Sequence, residues 1–253
     1  MNLTKTLLAT TLALGAASVT AAPIVDDNVR PQSFGVPAPG EVDLQTVLDA
    51  TFGAGVVNKL ANQSATGLWS SAGGAAVSLT LMLEQTGPTG SQRFGIWFGS
   101  DTSNLFTRDL LLGPATPASG NNGATITLAG GSLSVTGSNC GTSVNCGTAS
   151  DALIDPTRFG FYFRNDALTV PIGYSIDSMN SGGATRFMAY QGTGATASTW
   201  VFGFEERGTY IDFNDMVVTV GSIDAAAVPS PATPALLALG LLGIAAARRR
   251  RGA

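Results

Sequence analysis

The sequence predicts an all-β protein: a sandwich or jelly-roll-like domain with one short helix near its N-terminal end. Three observations lead there. Apolar residues recur at every second position along most of the chain, which is the period of a half-buried strand. Glycine accounts for 32 of 253 residues and interrupts these runs where turns belong. A single stretch, D-L-Q-T-V-L-D-A-T-F from Asp43 to Phe52, has helical spacing instead, since its apolar residues at 44, 47, 48 and 52 share one face of a helix.

Taken in order, Ala22 to Gly40 is rich in Pro, Asp and Gly and reads as an extended lead-in. Asp43 is placed to N-cap the helix, because a short carboxylate there can accept from the free amides of the first turn. Val77, Leu79, Leu81 and Leu83 then alternate with Ser78, Thr80, Met82 and Glu84, and Gln92 to Phe98 is an aromatic-rich strand. Ile126 and Leu128 lead through Gly130-Gly131 to Leu133 and Val135, the signature of a hairpin. Pro114 to Gly123 reads as a flexible connection. Phe159, Phe161 and Phe163 share a face, as do Trp200, Phe202 and Phe204. Core packing is the expected use of both stripes, and a sugar-stacking platform is the alternative. No internal repeat is evident.

Composition excludes more than it selects. The chain has no histidine, so neither a Ser-His-Asp nor a Cys-His apparatus can be built, nor a His-ligated zinc site. Lys59 is the single lysine of the central body, which leaves little for a Ser-Lys dyad. Carboxylate chemistry remains, as in glycoside hydrolysis, where two Asp or Glu side chains flank the bond. No pair stands out in that role, and a non-enzymatic protein is expected. Cys140 and Cys146 lie in the polar loop S-N-C-G-T-S-V-N-C-G and are expected to form a disulfide, as two close cysteines do in an exported chain.

Both ends read as processing signals. Met1 to Ala21 carries Lys5, an apolar stretch from Leu7 to Ala17, and small residues at 19 and 21. That is the layout of a secretory leader cleaved after Ala21 or Ala22. At the other end, Val228-Pro229-Ser230-Pro231-Ala232-Thr233 precedes an apolar run from Pro234 to Ala247. Four arginines follow it: Arg248, Arg249, Arg250 and Arg251. As a helix the apolar run spans about 20 Å, short of the roughly 30 Å bilayer core. An ordinary tail anchor with its arginines cytoplasmic is one reading.

The ordered triplet of proline motif, short apolar helix and arginine cluster resembles the PEP-CTERM sorting signal of Gram-negative bacteria. Val228, Pro229 and Pro231 match its V-P-E-P-A-type motif, with Ser230 in the place of the usual glutamate, and Arg248, Arg249, Arg250 and Arg251 match its basic end. The resemblance implies recognition by an exosortase, transient insertion of the tail in the inner membrane, and its removal. The chain then divides into a signal peptide (1–21), one β-rich extracytoplasmic domain (22–228) and a sorting signal (229–253). Removing Lys5 and the four terminal arginines leaves 8 basic against 17 acidic residues, a formal charge of −9. So acidic a body argues against nucleic acid and anionic membrane surfaces as partners.

The most suggestive segment is T-W-V-F-G-F-E-E-R-G-T-Y-I-D-F-N-D-M-V-V-T-V, Thr199 to Val220, which places Glu205, Glu206, Asp212, Asn214 and Asp215 between two apparent strands. It resembles the closing motif of a widespread bacterial extracellular domain of unknown function. Gly203-Phe204-Glu205 and Asp212-Phe213-Asn214-Asp215 match directly; Glu206 and Tyr210 stand where that domain has Asp. The stretches 159–162, 174–180 and 187–190 resemble its central strands. Clustered hard oxygens are what Ca²⁺ takes, six to eight of them, so the five side chains are a candidate metal set. The alternative is structural, with Asp and Asn bonding backbone amides to hold the turn and Glu205 or Glu206 pairing with Arg207. No other cofactor is expected. The expected function is that of an exported surface or extracellular-matrix protein of a Gram-negative envelope, with exosortase and exopolysaccharide as partners. A carbohydrate-binding or carboxylate-dependent carbohydrate-active protein is the alternative.

Overall fold

The computed structural model describes residues 23–71, 76–84, 92–112, 122–138, 140, 146–165, 173–206 and 211–227. The leader, most of Pro114 to Gly123, Arg207 and Tyr210 lie outside the described residues. So does the whole sorting tail, with Val228, Pro229 and Pro231 of its proline motif and all four of its arginines, Arg248, Arg249, Arg250 and Arg251. Among the described residues no helix is long and apolar enough to cross a membrane.

The fold is a β-sandwich that has, among the described residues, one α-helix, α1 (Leu44–Phe52), and thirteen strands: β1 (Trp69–Ser71), β2 (Val77–Glu84), β3 (Gln92–Asp101), β4 (Asn104–Leu112), β5 (Gly123–Ala129), β6 (Ser132–Gly137), β7 (Gly147–Ser150), β8 (Gly160–Asn165), β9 (Gly173–Tyr174), β10 (Phe187–Gln191), β11 (Thr199–Phe204), β12 (Met216–Gly221) and β13 (Ile223–Ala225). Seven strands form one sheet in the order β10-β11-β12-β2-β5-β6-β7, four form a second in the order β4-β3-β8-β9, and β1 pairs with β13. Pairing within each sheet is antiparallel throughout.

The period-two pattern decides which residues fill the space between the sheets. Val77, Leu79, Ile126, Leu128, Leu133, Val135, Phe202 and Val218 point inward from the large sheet, and Phe94, Ile96, Phe98, Phe159, Phe161 and Phe163 from the small one. Both aromatic stripes are therefore core, every ring of them at 1% exposure or less. Trp69 sits at their centre, with ring centroids 4.8 Å from Phe202, 5.3 Å from Phe161 and 5.4 Å from Phe187. Its backbone also exchanges hydrogen bonds with Phe159. The expected hairpin is present as β5 and β6, turned at Gly131 with φ +72°.

α1 forms as its spacing dictates. Asp43 accepts from the Gln45 amide at 2.7 Å, and Leu44, Val47, Leu48 and Phe52 are the buried face. That face lies on the outer side of β10, β11 and β12, against Met188, Tyr190, Val201 and Val217. Those strands are buried on both sides, so their sequences read as continuous apolar runs. The lead-in is a strap rather than a tether. Asn28 bridges the Ser175 carbonyl and the Asp177 amide, Arg30 pairs with Asp177 at 2.7 Å, and the Gln63 side chain accepts from the Gln32 amide and donates to the Gln32 carbonyl.

Cys140 and Cys146 are bridged, with Cα atoms 5.2 Å apart. For so short a loop the chain-entropy estimate is about 2–3 kcal/mol. Reduction is expected to lower the unfolding free energy by no more than that and to leave the sandwich folded. Thiol counting on denatured, non-reduced protein checks the bridge, and far-UV and near-UV circular dichroism with and without reductant checks the fold.

Candidate functional site

The acidic turn joins the end of β11 to the start of β12, which are paired so that Phe204 faces Met216. Reversal of the chain needs an unusual backbone at Phe213, which takes φ +56°, a region a bulky residue seldom occupies. Packing holds it there. The Phe213 ring is 1% exposed within the helix-side core and meets Phe34 edge-on at 5.2 Å. Its carbonyl lies so close to Gly203 that a Cβ there would stand 2.3 Å from the oxygen. The glycine of G-F-E is thus a steric requirement of the D-F-N-D that follows it.

The five candidate side chains lie around this turn, and four of them hydrogen-bond the protein itself. Glu205 Oε2 accepts from the Asp212 amide at 3.0 Å and the Phe213 amide at 3.2 Å. Asp215 Oδ2 accepts from the Glu206 amide. Asn214 donates to the Val42 carbonyl at 3.0 Å, tying the turn to the segment before α1. Glu206 Oε2 accepts from Gln92 at 3.3 Å, while Arg186 donates to the Glu206 carbonyl at 3.0 Å. The strap closes over the turn through Gly35, whose amide donates to the Ile211 carbonyl at 2.6 Å.

Electrostatics follow from this packing. Burial raises the pKa of Asp215 to about 7, with Glu205 and Glu206 adding repulsion. Burial raises Asp212 to about 6, helped by the charge of Glu41. Glu205 is likewise pushed up by burial, against the pull of its two amide donors. The Glu205 and Asp215 side chains adjoin, so the charge of one disfavours the charge of the other.

As a metal site the set is poorly arranged. Among the described residues no group of three or more His, Cys, Asp or Glu side chains is placed to hold an ion. Asp212 Oδ2 is buried without a hydrogen-bond partner, whereas Ca²⁺ takes six to eight oxygens. Millimolar Ca²⁺ is therefore expected to leave the melting temperature within about a degree of its metal-free value. A rise of several degrees at about 100 times Kd, worth ~2.7 kcal/mol, that Asp215→Ala abolishes would return the five residues to metal ligation.

A second polar cluster escaped the sequence reading. Asp109 on β4 accepts from Tyr162 at 2.6 Å, Arg164 at 2.7 Å and Arg93 at 2.9 Å, on the outer face of the small sheet. Burial works against its charge, yet Arg164, Tyr162 and Arg93 together hold its carboxyl below the usual range. Its only sequence signal is strand parity, with Arg93, Asp109 and Arg164 on one side of three neighbouring strands. No family model matches the chain, and no curated protein is recognisably similar to it.

Proposed function

We propose that the chain is an exported, non-enzymatic surface or extracellular-matrix protein of a Gram-negative envelope, delivered by its leader and sorted by an exosortase at the 229–253 tail. The observation that carries the non-enzymatic part is how the acidic turn uses its side chains. Three of its five polar side chains, those of Glu205, Asp215 and Asn214, bond the protein's own backbone. Such a turn locks β11 to β12 and to the strap. The disulfide supports the extracytoplasmic part, since such bridges persist in oxidising compartments. The acidic body and the absence of histidine from the sequence agree with both.

Intact-mass measurement of the protein recovered from envelope and medium of a native-type host tests the sorting. The expected dominant species ends near Pro229 to Thr233 and begins at Ala22 or Pro23. A dominant species that keeps Arg248, Arg249, Arg250 and Arg251 would replace the sorting reading with a plain tail anchor.

The carbohydrate-active alternative loses support from the aromatic stripes, whose rings are core. Carbohydrate binding without catalysis keeps one distinct surface in its favour, on the opposite half of the large sheet from α1.

A further inference from the structure

The outer face of the seven-stranded sheet is divided in two by its sequence. Over β10, β11 and β12 the outward Met188, Tyr190, Val201 and Val217 pack under α1. Where β2, β5, β6 and β7 pair with one another, the described outward side chains are those of Ser78 and Thr80, then Thr125, Thr127 and Ala129, then Ser132, Ser134 and Thr136, then Thr148 and Ser150. None is buried. Nine hydroxyls and one methyl occupy ten positions, and no side chain among them is charged.

That composition is unusual for a solvated sheet face, where charge is the ordinary choice, and more so on a body of charge −9. The hydroxyls form a lattice with steps of about 4.8 Å between strands and about 7 Å along them. Within the face they bond each other weakly: Thr136 reaches the Thr125 carbonyl at 3.5 Å, and Thr148 reaches Ser134 at 3.4 Å. Their donor and acceptor capacity is turned outward. A groove of about 300 Å³ crosses this lattice, walled by Ser78, Thr80, Thr125 and Thr136 and floored by Gly123 and Gly137.

We propose that this half-face is a docking surface for an uncharged polysaccharide, with the groove receiving one run of its sugar units. The ligand class follows by elimination on charge and polarity. An acidic glycan or nucleic acid finds no cation among these ten side chains and a repelling body behind them. A basic protein finds no carboxylate there, and a lipid surface finds no apolar area. A neutral, polyhydroxylated chain offers donors and acceptors to every hydroxyl and carries no charge to desolvate. The proposal rests on the matrix-protein reading for where such a polymer is met, while the chemistry of the face stands apart from it.

The test is retention of the mature, disulfide-intact protein on two insoluble neutral glucans, amorphous cellulose and curdlan, with alginate gel as the anionic comparison. Wild type is expected to be retained by a neutral glucan and not by alginate. Thr125→Glu and Thr136→Glu place a charge in the groove without touching the core, and each is expected to weaken retention at least about ten-fold, ~1.4 kcal/mol, at unchanged circular dichroism. Thr107→Glu, exposed on the small sheet, should change nothing.

Four results would overturn the proposal: no retention on either glucan, equal loss with Thr107→Glu, stronger retention on alginate, or sedimentation showing that the groove variants instead break a dimer. Envelope fractionation reports on export by itself, so a protein that is exported and fails to bind glucan sinks this inference and spares the functional reading.

Discussion

Trp69→Ala is expected to lower the unfolding free energy by about 3–5 kcal/mol, the range for removing a large aromatic from a packed core. Trp69 is fully buried and lies within 6.0 Å of the rings of Phe161, Phe187, Trp200 and Phe202. No single small side chain can refill a void lined by rings from both sheets. Its indole Nε1 is buried without a partner, so Trp69→Phe, which deletes that donor and keeps an aromatic, should recover most of the loss. Urea unfolding followed by far-UV circular dichroism measures both. A cost below about 1 kcal/mol for the alanine variant would mean that the ring cluster is not the stabilising centre of the sandwich.

Stability is expected to fall as pH rises from 5 to 8, and Asp215→Asn is expected to flatten that fall. Burial lifts the folded-state pKa of Asp215 to about 7, above the ordinary carboxylate value. The folded protein therefore holds this proton more tightly than the unfolded chain does. The corresponding stability is complete below about pH 4 and is lost as pH passes through about 7. Asp212, raised by burial to about 6, acts in the same direction. Against the pull of burial, Lys59 holds Asp43 low, and Arg164 and Tyr162 hold Asp109 low. Those two act oppositely and remove stability as pH drops through the acid range.

The two trends place the maximum near pH 4–5. Asparagine mimics the protonated carboxyl, keeping an acceptor for the Glu206 amide and supplying a donor toward Glu205. Between pH 5 and 8 the wild-type melting temperature should drop on the order of 5 °C, and that of Asp215→Asn by about half as much or less. Thermal melts across that range check it, and parallel curves for the two proteins would show that the turn does not carry the proton.

How much of this was legible in the chain differs from element to element. α1 was legible because its signals are local: a capping carboxylate and four apolar residues on one face act within ten residues. Phe159, Phe161 and Phe163 were assignable to one face because strand parity is geometry and holds for any partner. The glycine pair before Leu133 marked a hairpin for the same reason. Grouping the five polar residues of the acidic turn was likewise a matter of spacing.

What those five side chains do was not local. Whether Glu205 accepts from the Asp212 and Phe213 amides or points at an ion depends on Phe213 being forced into a left-handed backbone by Phe34 and the helix-side core, residues far away in sequence. The raised pKa values come from burial under the strap, and burial is a property of the assembled molecule. Strand order was beyond the sequence too, because β2 lies between β12 and β5, which joins segments more than a hundred residues apart. That order alone separates the apolar half of the large sheet, which α1 covers, from the hydroxyl half, which it leaves in water. The alternation by itself determined which residues point away from the core; only the packing of α1 on one half of the sheet decided which of them meet solvent.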